Sequence, residues 1–195
     1  MTGATLAVLA GGEGSRMGRP KGLLRLHGKP VLEYLLDRFE WPGPTLLVTA
    51  PGREHPPAWE RFSREVPDPV SGLGPLRGIL TALEAAETPL VVVASVDMPG
   101  VGREQLEWLV SRAEGQLGLL LRRCTASGLL VEPFPSMFRV KAAPVVSAQM
   151  DSGRRAIHAL GSFPGFAVTD APQEWPASVW TNLNTPDDLA EAGPA

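Results

Sequence analysis

Three short runs that are almost wholly apolar constrain this chain more than any other feature: residues 5–10 (TLAVLA), 45–50 (TLLVTA) and 90–96 (LVVVASV). Each has the pattern of a strand covered on both faces, because a strand with one wet face would alternate apolar and polar residues. Between these runs the period changes. Val31, Leu32, Leu35, Leu36 and Phe39 recur at helical spacing, with Glu33, Asp37 and Arg38 between them. Leu76, Ile79, Leu80 and Leu83 mark a second helix; Leu106, Leu109, Val110 and Ala113 mark a third, followed by a strand candidate at 117–121. Strand and helix alternate, which predicts right-handed crossovers, a mostly parallel sheet and helices on both faces: a three-layer α/β fold. The second half is less regular. Residues 129–131, 166–169 and 179–183 are read as strands, and 138–148 and 154–160 as helices, with Pro144 kinking or bounding the first. A last helix starts at Thr185 as its cap, with Pro186 in its first turn and Asp187 and Asp188 favouring its dipole.

Composition narrows the function classes. With 195 residues and a net charge of −3, the chain fits one domain and carries no basic excess to hold a nucleic acid. No apolar run approaches the roughly 18 residues that a membrane span needs. The first apolar run passes directly into Gly11, Gly12 and Glu13, which argues against a signal peptide. Cys124 is the single cysteine, and His27, His55 and His158 are scattered, so neither a disulfide nor a zinc cluster is expected. A cytoplasmic location is expected. The 20 prolines and 21 glycines punctuate the apolar runs; the loosest stretch, residues 51–69, holds five prolines and is read as a loop or a short interrupted element.

In a parallel sheet, ligands gather outside the carboxyl ends of the strands, so residues that follow strands carry the interest. After the first run comes Gly11-Gly12-Glu13-Gly14-Ser15-Arg16-Met17-Gly18-Arg19-Pro20-Lys21. It is neither a P-loop nor a dinucleotide fingerprint, since Met17 stands where the third glycine of the latter belongs. Its glycines let backbone N–H groups approach a ligand, and Arg16, Arg19 and Lys21 suit a triphosphate, although a glycine-rich turn with solvated cations has the same composition. The third run ends in Asp97-Met98-Pro99, placing a hard oxygen ligand where Mg²⁺ or a phosphate-bound cation would sit; a strand-ending turn would equally accept an aspartate. Asp68 precedes a second glycine-rich turn, residues 71–78. Asn182 and Asn184 lie two apart and so share a face of an extended chain. Arg154 and Arg155 form a further cationic spot, or a solvated helix start.

Together these patches resemble the molybdenum cofactor guanylyltransferases, the MobA-type members of the nucleotidyltransferase superfamily. The resemblance is carried by Leu9-Ala10-Gly11-Gly12, Arg16-Met17-Gly18, Lys21-Gly22-Leu23-Leu24, Gly74-Pro75-Leu76-Arg77-Gly78, Val96-Asp97-Met98-Pro99 and Asn182-Leu183-Asn184-Thr185-Pro186. It implies a Rossmann-like fold, with a nucleotide-binding half near residues 1–100 and an acceptor half near 101–195. It also implies transfer of GMP from Mg²⁺-GTP to molybdopterin with release of pyrophosphate, the product passing to a molybdoenzyme or a maturation protein. Carried over by position, Leu9, Ala10 and Gly11 line the guanine site through their backbone. Arg16 and Lys21 hold phosphates as catalytic groups, Asp68 contacts the nucleotide, and Asp97 binds both GTP and the metal. Gly12, Thr49, Gly74, Pro75, Leu76 and Gly78 complete the nucleotide site, and Asn182 and Asn184 lie on the pterin side. Three positions depart from the family pattern. Thr49 stands where Asn is common, Pro20 where Asp precedes the loop lysine, and Glu132-Pro133 where a His-Pro or Gln-Pro pair is expected.

The residues suit in-line displacement at the α-phosphorus. An acceptor phosphate is already ionised near neutral pH, so positioning and charge neutralisation suffice without a general base. The nearest rival is a cytidylyltransferase acting on molybdopterin or another phosphorylated cofactor. A non-catalytic nucleotide-binding regulatory protein is the rival of a different class.

Overall fold

Strand β1 (Ala4–Leu9) is buried at all six positions in the computed structural model, which describes residues 3–12, 20–185 and 188. Chain order then gives β2 (Arg25–Leu26) and β3 (Lys29–Pro30), a small antiparallel pair, and helix α1 (Val31–Phe39). Next come β4 (Thr45–Thr49), β5 (Arg64–Pro67), α2 (Pro75–Ala85), β6 (Leu90–Ser95) and α3 (Arg103–Ser111). The rest of the chain adds β7 (Gly118–Thr125), β8 (Gly128–Arg139), α4 (Ala143–Asp151) and β9 (Phe166–Asp170).

The described strands form a seven-stranded sheet in the order β5-β4-β1-β6-β8-β7-β9. β1 pairs in parallel with β4 on one side and β6 on the other, and β5 and β9 extend the edges in parallel with β4 and β7. Only β8 runs the other way, antiparallel to β6 and to β7. The sheet is thus mostly parallel. Because β1 and β4 are buried throughout, both faces need cover; α1 packs with α3, and α2 with α4, to supply it. Val31, Leu32, Leu35 and Phe39 form the buried face of α1, and Leu76, Ile79, Leu80 and Leu83 belong to that of α2. Gly78 lets α2 close onto β1: a Cβ there would stand 3.2 Å from Leu9 Cδ1.

The structure departs from the sequence reading in four places, three of them in the second half. Residues 138 and 139, expected in a helix, end the twelve-residue β8, and the helix starts only at Ala143. Two prolines hide β8, because proline cannot donate to a ladder. They lie in a bulge: Leu119 pairs with Met137 and Leu121 with Glu132, so residues 133–136 oppose Leu120 alone. Residues 154–160, expected as a helix, form instead a 3-10 turn at Ile157–Ser162. The strand expected at 179–183 is a 3-10 turn, Ala177–Trp180, followed by extended chain outside the sheet. Its Leu183 N–H donates to the Asp97 carbonyl at 2.8 Å in place of a strand partner. Finally, β5 emerges from the proline-rich stretch. As an edge strand it has no fully buried position, so no apolar run announces it.

Of the last helix, Thr185 and Asp188 are described, whereas Pro186 and Asp187 lie outside the described residues. Thr185 Oγ1 accepts the Asp188 N–H at 3.2 Å, and the Asp188 carboxylate accepts the Thr185 N–H at 2.7 Å, a reciprocal cap. The Asn184 and Thr185 N–H groups hold the Asp188 carboxyl below its usual range. No described helix is long and apolar enough to cross a membrane.

Gly100, in the turn after β6, is where the two halves meet most tightly. A Cβ there would lie 1.9 Å from Ser178 O and 2.9 Å from Val179 N, both backbone atoms. Gly100→Ala must push the 177–184 segment outward, an overpacking cost of about 1–3 kcal/mol. At roughly 2–4 °C per kcal/mol for a chain of this size, thermal melting should fall by several degrees, and an unchanged midpoint would contradict this packing.

Candidate active site

Because β1, β4, β5 and β6 run parallel, their carboxyl ends open on one edge of the sheet. A cleft of about 680 Å³ lies there. Leu9, Gly11 and Gly12 reach it from β1, Asp68 from β5, Asp97 from β6, and Gly74, Pro75 and Gly78 from the start of α2. A Cβ on Gly11 would stand 3.5 Å from Ala50 N and 3.7 Å from Asp68 Oδ2, so the bare backbone leaves the floor of the cleft open.

Lys21 and Asp97 meet at the centre. Lys21 opens the 3-10 turn Lys21–Leu23, which the buried side chains of Leu24 and Leu26 anchor to the core. Its ammonium donates to Asp97 Oδ2 at 2.5 Å and to Asn184 Oδ1 at 2.8 Å. The two charged side chains are 15% and 17% exposed, enough to be reached from the cleft while screened from bulk water. An ammonium has three protons, and these bonds engage two of them, so one remains to meet a phosphate oxygen. Asp97 itself is fixed by its backbone: Val96 N–H donates to Leu9 O, and Asp97 O accepts from Leu183 N–H. Arg38 steadies the far side of that turn by donating to the carbonyls of Gly100 and Val101.

Asp68 lies at the other end. Its N–H donates to the Thr49 carbonyl, and its Oδ1 accepts from Thr81 Oγ1 at 2.5 Å. Thr81 also accepts from Arg77 Nε, and Arg77 pairs with Glu84. Burial raises the Asp68 carboxyl above its usual range, against the lowering effects of the Thr81 hydrogen bond and the Arg77 charge.

The structure gathers most of the residues marked out by sequence, with some differences in role. Ala10 and Leu76 are buried in the core and do not line the cleft. The Thr49 hydroxyl donates to Glu65, whose other oxygen meets His55, and the Thr49 carbonyl accepts the Asp68 N–H, so Thr49 does not line the cleft and supports it through Asp68. Asn182 and Asn184 both line the cleft with buried Leu183 between them, so the expected alternation holds without a strand. Asn184 is bound to Lys21, whereas Asn182 has no side-chain hydrogen bond among the described residues. Arg154 lies away from the cleft, beside α4, and Arg155 donates to Gly72 O on the turn that walls it. Arg16 and Arg19 lie outside the described residues. Two features escaped the sequence reading. Arg53 lines the cleft from a loop without periodicity, and Thr81, the partner of Asp68, sits inside a helix where its spacing reads as core.

The raised pKa gives a stability test with a definite sign. Since the folded-state value lies above the unfolded one, ionised Asp68 destabilises the fold above that pKa, and lowering the pH through it relieves the penalty. Asp68→Asn removes the charge and keeps an acceptor for Thr81. The variant should therefore melt no lower than the parent at neutral pH, and its advantage should shrink as the pH falls. A variant clearly less stable at neutral pH would refute this.

Comparison with known proteins follows the same geometry. The molybdenum cofactor guanylyltransferase of Vibrio campbellii is 28% identical over 98% of this chain and 96% of its own length. The protein of that description from Vibrio cholerae is 30% identical over 95% of this chain and 89% of its own. Among solved structures, molybdopterin-guanine dinucleotide biosynthesis protein A from Archaeoglobus fulgidus superposes with a TM-score of 0.80 at 27% identity, covering 96% of each chain. The 2-C-methyl-D-erythritol 4-phosphate cytidylyltransferase of Thermus thermophilus shares the fold at a TM-score of 0.72 and 20% identity, covering 95% of each. Residues 6–162 match the MobA-like NTP transferase domain, and with that span taking in β1 through the 3-10 turn before β9, the chain belongs to this nucleotidyltransferase family.

Proposed function

We propose that this protein transfers GMP from GTP to the terminal phosphate of molybdopterin, releasing pyrophosphate and forming the guanine dinucleotide cofactor. The observation that carries the reading is the Lys21–Asp97 pair, half-screened at the centre of the cleft and joined by Asn184 from the far end of the chain. It puts a cation for phosphate, a carboxylate for a metal and an acceptor-side amide within one hydrogen-bonded cluster. The curated relatives named for guanylyl transfer match nearly the whole chain and support the same choice of substrates.

The nucleotide lies along the β1–β4–β5 side, its base over Gly11 between Asp68 and the turn that opens α2. Lys21 holds the triphosphate, with Arg16 assigned to the same task on sequence grounds. The acceptor enters from the Asn182 side. An oxygen of its phosphate attacks the α-phosphorus; a new P–O bond forms as the bond to the β-phosphate oxygen breaks, and pyrophosphate leaves with the electron pair. No proton need be removed from an ionised phosphate, so the side chains position and neutralise. Asp97 fits a divalent cation of the Mg²⁺ type, which commonly takes one or two protein carboxylates and completes its shell with phosphate oxygens and water. No cluster of three His, Cys, Asp or Glu occurs among the described residues, as such a site requires none. Bound there, the ion would supply charge neutralisation on the triphosphate. The exposed thiol of Cys124, without a disulfide partner, suits a reducing cytoplasm.

Pyrophosphate release from each triphosphate in the presence of molybdopterin is the decisive assay. GTP should exceed CTP and ATP by about 5- to 150-fold in kcat/KM, because a mismatched base leaves polar groups unpaired at about 1–3 kcal/mol each. Turnover with CTP at or above the GTP rate would replace guanylyl by cytidylyl transfer.

Asp97→Asn preserves shape and removes charge. It should lower kcat/KM about 100- to 1,000-fold while near-UV circular dichroism stays native. Lys21→Ala should raise the KM for GTP. Near-parental kinetics in the folded Asp97→Asn protein would remove Asp97 from the mechanism.

A further inference from the structure

Glu132 is a buried carboxylate in the cleft that the chemistry of Lys21 and Asp97 does not use. Its side chain is 10% exposed, and its hydrogen bond among the described residues comes from Arg123 Nε to Oε1, at 2.6 Å. The Arg123 guanidinium lies over the Trp180 ring, 5.4 Å from its centroid, so both members of the pair are held in place. Trp180 ends the turn that leads to Asn182, and Glu132, Pro133, Phe134 and Asn182 all line the cleft. Burying a carboxylate is costly unless its hydrogen bonds are made. One ion pair with a guanidinium that is itself 30% exposed leaves acceptor capacity at Oε2.

The backbone aims this group deliberately. Glu132 is the last β8 residue in register with β7 before the bulge of residues 133–136. Bulges re-aim side chains, and this one turns the Glu132-Pro133-Phe134 segment toward the cleft and lays apolar surface beside the carboxylate. Charge then decides what the group can face. A carboxylate repels a phosphate, so the phosphate end of an acceptor is driven to Lys21 and the opposite end is left for Glu132. An uncharged ring that offers N–H donors satisfies the carboxylate and packs its faces on Pro133 and Phe134.

We propose that Glu132, held by Arg123, reads the acceptor by accepting the N3–H and 2-amino N–H donors on the pyrimidine edge of a pterin ring. The assignment rests on the reading of the acceptor as a pterin phosphate. It makes Glu132 a specificity-determining residue, and it fixes the acceptor's direction, ring toward β8 and phosphate toward Lys21.

Two measurements test it. Glu132→Gln keeps the shape and can still accept from Arg123, but it loses the charge. In steady-state pyrophosphate release the KM for molybdopterin should rise roughly 10- to 100-fold, the loss of a charge-assisted hydrogen bond, with the KM for GTP and the melting temperature unchanged. The second measurement needs no substitution. Calorimetric titration of the parent protein, saturated with GTP, should show 6-hydroxymethylpterin binding at least about tenfold tighter than its N3-methyl derivative, which lacks one donor. In Glu132→Gln the two should bind alike. Turnover by Glu132→Gln with an unchanged KM for molybdopterin, or equal affinity of the parent for both pterins, overturns the assignment. A parent protein that discriminates the two pterins yet releases no pyrophosphate from GTP and molybdopterin overturns guanylyl transfer and leaves the Glu132 assignment standing.

Discussion

The parallel pairing of β1 between β4 and β6 is the constraint on which the rest depends. Six residues of β1, buried without exception, pair with Leu90 through Ser95 on one side, and the last four of them pair with Thr45 through Val48 on the other. Parallel pairing sends every one of these strands toward the same edge, so the loops that follow them must share one cleft. Gly11, Asp68 and Asp97, separated by as many as 86 positions in sequence, become neighbours for that reason alone. The closeness of α2 to β1 belongs to the same constraint. Gly78 has no side chain because Leu9 fills the space, and this contact fixes where the start of α2, with Gly74 and Pro75, faces the ligand.

Electrostatics divides the cleft. Lys21 and Asp97 neutralise one another at its centre; Lys21 also holds Asn184, and both charged groups keep capacity for a further partner. At the other end of the cleft Asp68 is partly desolvated and leans on Thr81, while Arg77, which also lines the cleft, bridges Thr81 and Glu84. Burial that raises a carboxyl above its usual range within a cleft marks it as a candidate binding group. The C-terminal segment closes the arrangement: Leu183 bonds to the Asp97 carbonyl, Asn184 to Lys21, and Gly100 leaves room for the backbone at Ser178. The Asp97 turn and the 177–184 segment are therefore one packed unit.

The β8 side of the cleft is built by different means. β8 runs against the sheet, and its bulge, with Pro133 and Pro135 inside it, interrupts pairing where Glu132 enters the cleft. Arg123, from the neighbouring strand, and Trp180, from the turn before Asn182, hold that corner.

The sequence by itself determined the strands whose burial is complete and the helices between them, because continuous apolar runs and a 3.6-residue period are local signals. It also marked Gly11 and Asp97, which follow two of those strands, whereas Lys21 and Asp68 stood out by the glycine-rich segments beside them. It could not mark β5, an edge strand without a fully buried residue, nor β8, whose prolines conceal a strand that bulges around them. Only the tertiary structure decided that residues 181–184 lie against the Asp97 turn instead of joining the sheet, and that the Thr49 hydroxyl turns to Glu65 and away from the cleft. It alone brought Lys21 into contact with Asn184, 163 positions away. Those outcomes rest on long-range pairing and on space left by glycines, and neither leaves a periodic trace in the chain.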